Sequence, residues 1–333
     1  MTIAVAILNW NGCSLLEQFL PDVIKYTPLD VADVYVIDNA SDDDSLAYIE
    51  ENFKSVKVIK NPVNGGYAKG YNMGLMNIKA DVFCLINSDI QVTEGWLEPI
   101  IKTFKEQQNT VIAQPKILDQ KQPAYFEYAG AAGGFIDSLG YPYCRGRVFN
   151  TLEKDEGQYD DECDIFWASG ACLFIRSEVF WKLGALDEKY FAHQEEIDLC
   201  WRAFNAGYAT KYIPSSTVYH VGGATLSHGH WHKTFYNFRN SLFNIVKNKN
   251  GNYFGSIFIR LILDAVAGVK FLLDRQPKHT WAIIKAHFSF YKNLSYIIKK
   301  RKEQPNKRPN YSNVTNVVFQ YYILNNKTYR QLS

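Results

Sequence analysis

Four short apolar runs near the amino terminus each stop at a cluster of Asn, Asp or Gly, and this repeat limits the fold more than any other feature. Ile3 to Leu8 gives way to Asn9-Trp10-Asn11-Gly12, and Val34 to Ile37 to Asp38-Asn39-Ala40-Ser41-Asp42. Val56 to Ile59 leads to Asn61-Pro62-Val63-Asn64-Gly65-Gly66, and Val82 to Ile86 to Asn87-Ser88-Asp89. Short, continuously apolar runs are expected of strands buried on both faces of a parallel sheet. Helical patterns separate them: Ser14 can cap a helix through Leu16, Phe19 and Leu20, another begins at Ser45, and a third covers Tyr67 to Asn77. The alternation predicts βαβ units, hence an α/β fold with a mostly parallel central sheet flanked by helices. Ligands bind outside the carboxyl ends of strands in such sheets, so the four polar clusters should line one crevice.

Each cluster also has a plain explanation. Asn87 or Asp89 can close an Asx turn, and Gly65-Gly66 can simply make a turn. Asp42, Asp43 and Asp44 precede a helix, where capping and the helix dipole account for them better than a metal does. Against the turn reading, a carboxylate at the end of the fourth strand suits a divalent cation carrying a diphosphate. Gly65-Gly66 at a helix start would let backbone approach a phosphate, but no GxGxxG is present, so a dinucleotide site has little support.

The chain has 333 residues, enough for one large α/β domain with additions or for two domains. The six cysteines are scattered, without a CxxC pair, and Cys84, Cys172 and Cys200 sit among apolar residues as reduced core positions. The amino terminus enters a strand without a basic leader, so the expectation is cytoplasmic. The net charge of +2 hides a division. Residues 241–333 carry 16 Lys/Arg against 3 Asp/Glu, leaving 20 against 31 for residues 1–240. Such a basic tail suits an anionic partner, either a membrane surface or nucleic acid.

Farther along, Thr93-Glu94-Gly95-Trp96 should open a helix running through Phe104, and Val111 to Pro115 and Phe135 to Ile136 fit strands. The acidic run Asp155 to Asp164 reads as a solvated loop. Phe166, Trp167, Ser169 and Gly170 precede a strand-like Cys172 to Ile175. His193 to Arg202 reads as a helix with carboxylates in its first turn and an Asp198–Arg202 pair at i, i+4. That leaves the neighbouring Glu195 and Glu196 unexplained, since both cannot be caps. His220 follows another strand pattern that begins at Ala209, and His228, His230 and His232 alternate beyond it. Those three fit a transition-metal site, a flap, or contacts to a diphosphate.

Four of these stretches, in this order and spacing, resemble the family 2 glycosyltransferases of the rhamnosyltransferase-like subgroup. They are Leu8 to Gly12, Val36 to Asp42, Asn64 to Asn72 and Leu85 to Asp89. The helix at Glu195 to Arg202 and the Phe235 to Asn240 segment resemble later motifs of that family. The resemblance implies a GT-A fold and an inverting transfer of a sugar from a UDP- or dTDP-sugar. The acceptor it implies is a hydroxyl of a glycan or lipid-linked molecule in cell-envelope polysaccharide synthesis. Asp38 would accept a hydrogen bond from the base imide, and Asn64, Gly66 and Asn72 would lie along the nucleotide. Asn9, Asn11, Asn39, Asn87 and Ser88 would complete the donor site. Asp89 and His220 would hold Mg or Mn, with Asn87 standing where the family often has a second Asp. Trp167 and Gly170 would sit by the acceptor. Arg239 would offset donor phosphate charge, unless it forms only a surface salt bridge. Glu196 would be the base, with Glu195 as the alternative base or an acceptor contact. Asp198 would orient the site or cap its helix.

Two other readings stand beside this one. A sugar-phosphate nucleotidyltransferase would normally show a Gly-rich, basic phosphate loop near the amino terminus, which Leu8 to Gly12 is not. A non-catalytic nucleotide-sugar binder on a membrane surface would not need Glu196 and His220. The division expected is a catalytic domain over 1–240 and a basic, helical extension over 241–333. That extension fits either the anionic inner membrane face, as a peripheral attachment, or a second subunit in a homodimer. Arg260, Asp264 and Lys270 interrupt its apolar stretch, so a spanning helix is not expected. No groove-reading motif supports nucleic acid.

Overall fold

The structure is a computed structural model that describes residues 1–222, 231–304 and 310–332. Its frame is four parallel strands, β1 (Ile3–Asn9), β2 (Ala32–Asp38), β3 (Lys57–Lys60) and β4 (Val82–Asn87). Three helices connect them: α1 (Cys13–Lys25), α2 (Ser45–Asn52) and α3 (Gly66–Leu75). Across the sheet the order is β3-β2-β1-β4. After β1 the chain goes to one side and later returns on the other, which makes a topological switch point beside β1. The register sets Asn9 beside Asp38 and Leu8 beside Asn87, so three polar strand ends share one edge.

Next come β5 (Ile90–Val92), α4 (Glu98–Glu106) and the long β6 (Thr110–Asp119). The helix expected from Thr93 starts instead at Glu98, because residues 90–92 pair as a strand and Gly95 takes a positive φ of 74°. A small sheet follows, made of β7 (Gly134–Ile136), β8 (Pro142–Cys144), β9 (Arg147–Val148) and β10 (Thr151–Leu152). The main sheet is completed by β11 (Cys163–Ile165), β12 (Cys172–Arg176) and β13 (Ala209–His220). β12 runs antiparallel between β4 and β6, and β13 runs parallel to β6. Between β12 and β13 lie α5 (Ser177–Lys182) and α6 (Glu195–Asn205).

Alternation along β1 shows why both faces are covered. Ile3, Val5 and Ile7 enter a core shared with Leu16 and Leu20 of α1, while Ala4 and Ala6 enter one shared with Tyr71 and Leu75 of α3. The result is a three-layer α/β body with helices on each face of a mostly parallel sheet.

The extension is helical, as expected: α7 (Trp231–Asn248), α8 (Phe254–Leu273), α9 (Pro277–Lys292), α10 (Leu294–Lys302), α11 (Val317–Tyr322) and α12 (Tyr329–Leu332). The expected boundary at 240 needs correction, because it falls inside the continuous helix α7. Residues 239–248 of α7 are buried without a break. Leu242, Phe243 and Val246 pack with Tyr190 of the catalytic body and with Phe290 and Ile297 of α9 and α10. Val317, Tyr321 and Leu332 return to pack on Tyr143 and Val148 of the small sheet.

Candidate active site

β13 runs on past the expected strand, over a bulge between Ile213 and Thr217, and its last residues pair antiparallel with β5. Because His220 lies opposite Ile90 in that pairing, its ring meets Asp89 at the end of β4. His220 Nε2 lies 3.2 Å from Asp89 Oδ1, and both side chains are buried. On the other side of the ring Nδ1 lies 3.1 Å from Glu127 Oε1. Burial works against the imidazolium, but the Glu127 and Asp89 carboxylates outweigh it and raise His220 to about 10. Burial likewise works to raise Asp89, and the bond from His220 holds it below the usual carboxylate value.

Asp89 and His220 could hold a divalent cation once the ion displaces the proton of the imidazolium. An aspartate oxygen and an imidazole nitrogen converge at 3.2 Å. A carboxylate backs the far ring nitrogen, as is usual for a metal-bound histidine. Among the described residues no group of three or more His, Cys, Asp or Glu gathers to hold an ion unaided. Asp89 and His220 would therefore need the oxygens of a bound diphosphate to complete the sphere. Glu127 went unnoticed in the sequence. It lies in a stretch without pattern, and its only signal is that a ligating histidine needs a backing group from somewhere.

At the ends of β1 and β2 the side chains tie the two turns together. Asn9 Nδ2 donates to Ser41 Oγ at 3.2 Å and more weakly to Asp38 Oδ1 at 3.4 Å. Asp38 Oδ2 accepts from the Ser41 backbone at 3.1 Å. Asn9 Oδ1 is buried without a partner and faces Gly12, which lies beside Ser88. Asn11 and Ala40 hold positive φ angles of 50° and 62° without being glycine, a strain often concentrated where ligands bind. Asn11 and Asp42 bond each other in both directions, at 2.5 and 2.9 Å, so the Asn11 amide ties the two turns together. Asp43 accepts from the Cys13 backbone at the start of α1 and from Ser45 at the start of α2, which is the capping role.

Asn39 fastens the next loop. Its amide donates to Asn64 Oδ1 at 2.9 Å and to the Gly66 carbonyl at 3.1 Å, and it accepts from Asn61 at 3.2 Å. Gly66 has φ +68°, and a Cβ there would sit 2.7 Å from the Phe191 carbonyl. The same carbonyl accepts from the Tyr67 backbone at 2.8 Å. The start of α3 is thus occupied by protein, which removes it as the phosphate cradle that Gly65-Gly66 suggested. Asn72 also needs correction: it bonds the Leu186 backbone as donor at 2.8 Å and as acceptor at 3.1 Å, so its amide anchors that segment.

Glu195 and Glu196 enter from a strained turn. Phe191, His193 and Gln194 all take positive φ angles, of 67°, 69° and 69°. Each glutamate has a buried Oε2 with no partner. Burial raises Glu195 well above the usual value, with the neighbouring Glu196 charge adding to it. Burial raises Glu196 to about 7. Asp198 differs. Against the same burial, Arg202 and Lys247 hold it at about 2. Its carboxylate accepts from Arg202 at 2.9 Å, Lys247 at 2.9 Å and Asn248 at 2.8 Å, and this makes it a structural anchor.

Gly170 joins Glu196 to the strand-end edge. Asn87 donates its backbone N–H to the Ala171 carbonyl at 3.0 Å, and the Tyr67 hydroxyl donates to the Gly170 carbonyl at 2.7 Å. A Cβ on Gly170 would meet that hydroxyl at 3.0 Å and Glu196 Cβ at 3.8 Å. Gly170, with Asn87 bonded to its neighbour Ala171 on one side and Glu196 on the other, links the end of β4 to the start of α6. The Trp167 ring is 2% exposed, lies against Gly134 and donates Nε1–H to the Phe135 carbonyl at 2.8 Å, so it has no surface for an acceptor.

Arg239 is likewise spent inside the protein, on the Lys189 and Tyr190 carbonyls at 3.0 and 2.8 Å, with Phe235, Tyr236 and Phe243 around its guanidinium. These contacts are not a surface salt bridge. Asn240 bonds the Tyr190, Ala192 and His193 carbonyls, and Asn244 bonds the Gln194 carbonyl. Together these residues of α7 hold the strained turn in front of Glu195. His228 and His230 lie outside the described residues.

A family model for "Glycosyl transferase family 2" matches residues 4–184, more than half of the chain. The chain belongs to glycosyl transferase family 2. One similar member is the N-acetylglucosaminyl-diphospho-decaprenol L-rhamnosyltransferase of Mycobacterium tuberculosis (strain CDC 1551 / Oshkosh). It is 25% identical over 232 residues, covering 66% of this chain and 75% of its own length. Another is the low-salt glycan biosynthesis hexosyltransferase Agl10 of Haloferax volcanii, 26% identical, covering 52% of this chain and 53% of its own. In three dimensions the fold is GT-A. It is similar to GalNAc-T7 crystallised with UDP, GalNAc and Mn2+, with a TM-score of 0.54 at 20% identity over 66% of this chain and 43% of that one. It is also similar to the mannosyltransferase PcManGT of Pyrobaculum calidifontis in complex with GDP-Man and Mn2+. There the TM-score is 0.51 at 12% identity, over 88% of this chain and 75% of that one.

Proposed function

We propose that this glycosyltransferase moves a hexosyl or deoxyhexosyl unit from a UDP- or dTDP-sugar to an acceptor hydroxyl, with inversion at the anomeric carbon. What supports the reading is a buried Glu196 Oε2 without a partner beside Gly170, together with the Asp89–His220 pair beyond the end of β4. Inversion is a single displacement, so it needs one base for the acceptor and a counter-charge for the leaving diphosphate. Glu196, poised near neutrality by burial, takes the proton from the acceptor hydroxyl as that oxygen attacks C1 of the sugar. The C1–O bond breaks and its electron pair leaves with the diphosphate. Asp89 and His220 would hold Mg or Mn, and the ion when bound supplies the counter-charge. Asp38, Asn9 and Ser88 line the donor side. Gly170 keeps the space between Tyr67 and Glu196 open for the acceptor. Similarity to a rhamnosyltransferase whose name specifies a diphospho-decaprenol acceptor supports a lipid-linked or glycan acceptor of the cell envelope here as well.

The test is release of nucleoside diphosphate from a panel of UDP- and dTDP-sugars in Mn, in Mg and in EDTA. Release should be confined to one donor class, vanish in EDTA, and fall by at least about 100-fold in Asp89→Asn. Turnover indifferent to EDTA, or an Asp89→Asn enzyme near the normal rate, would remove the metal from the account.

A further inference from the structure

The helix α8 is inside out. The residues it buries are Ser256, Arg260, Asp264 and Gly268, spaced four apart along one face. Arg260 donates to the Leu139 carbonyl at 3.0 Å and to Ser241 at 2.6 Å, and Asp264 meets His287 of α9 at 3.0 Å. The opposite face is exposed and apolar: Phe254, Phe258, Ile262, Val266, Val269 and Leu273 are each more than half exposed. A helix on a water-facing surface has the reverse arrangement. α9 runs back along α8, tied to it by Asp264–His287 and by Thr280 donating to the Gly268 carbonyl at 2.8 Å. Its own outward positions include Trp281, Ile284, Phe288 and Tyr291. A soluble monomer rarely leaves so continuous an apolar face in water.

Charge decides what covers this face. The exposed cations on and between the two helices are Lys270, Arg275, Lys278, Lys285 and Lys292, and the one exposed acid there is Asp274. A two-fold interface sets the same patch against itself, so a second copy would bring these cations against their own kind. An anionic lipid surface attracts them and also accepts the apolar side chains. No helix among the described residues is long and apolar enough to cross a membrane, which suits a hairpin lying in the plane of the surface.

We infer that the α8–α9 hairpin docks on an anionic lipid bilayer, with its outward apolar side chains entering the headgroup–acyl boundary and its cations against the lipid phosphates. The inference is independent of the transferase reading, because lipid binding is measured without donor or acceptor. The experiment is co-sedimentation of the full chain with vesicles of phosphatidylcholine alone and of phosphatidylcholine with phosphatidylglycerol at about 3:1. A Phe258→Gln/Ile262→Gln/Val266→Gln variant is compared, with its circular dichroism and donor hydrolysis used to verify the fold. The chain should bind the anionic vesicles, lose most binding in 0.5 M salt, and bind at least about tenfold more weakly as the triple variant. Equal binding by the variant, or equal binding to both vesicle types, would overturn the inference. So would absence of lipid binding together with a dimer in sedimentation velocity that the triple variant dissolves.

Discussion

Within the first turn of α6, three carboxylates meet three fates. Asp198 has two cations and stays ionised, while Glu195 and Glu196 have none. The stability consequences have opposite signs. For Asp198 the folded value is lowered from 3.8 to about 2, so its contribution is full above 3.8 and is lost as pH falls through about 2. For Glu196 the folded value is raised from 4.5 to about 7, so the native state holds a proton that the unfolded chain releases, and stability falls as pH rises from 4.5 to 7. Glu196→Gln should therefore be more stable than the parent at pH 8, by roughly 1–3 kcal/mol, and nearly equal to it at pH 4. Urea denaturation at the two pH values checks this, and an equal difference at both would contradict it. The sequence made Asp198 and its Arg202 partner legible, because i, i+4 spacing is local. It did not reveal Lys247 or Glu127, which reach their partners only through tertiary folding. The resemblance put Trp167 by the acceptor, but Gly134, far off in sequence, makes room to bury the ring.

At the scale of elements, the strands were readable because apolar runs ending in polar clusters reflect a sheet buried on both faces. The switch point beside β1 followed from their order. The turn at 187–194 was not readable, since three non-glycine residues there adopt left-handed angles that no local pattern favours. They persist because α7 over-determines them through Arg239, Asn240 and Asn244. For the same reason the Phe235 to Asn240 motif serves as a clamp on that turn. Gly66 is the matching point on the other side. Gly66→Ala would need a strained φ and would push its Cβ against Phe191. The expected loss is about 1–3 kcal/mol of stability, together with reduced turnover as the approach to Glu196 shifts. A denaturation midpoint and rate equal to the parent's would show that the turn does not depend on this contact.

For the molecule as a whole, the division of charge between residues 1–240 and 241–333 is real in composition but does not mark a structural boundary. The helix α7 crosses it, and Lys247 and Asn248, beyond it, neutralise and hold Asp198. A chain of residues 1–240 would leave Asp198 with one cation fewer and Tyr190 without its Asn244 partner. Breaking a buried network of this kind costs about 3–5 kcal/mol, a large part of a domain's stability. Such a chain should show no cooperative melting transition, whereas the full chain should. A sharp transition near the full chain's temperature would establish the extension as a separate unit.

The account rests on the proposal that Glu196 acts as the base toward a donor held at Asp89 and His220. Donor affinity by calorimetry and turnover by diphosphate release, compared for the parent and Glu196→Gln, test this most directly. Affinity should stay within about threefold while turnover falls by at least about 100-fold. Turnover within about fivefold of the parent, with donor binding intact, would contradict it.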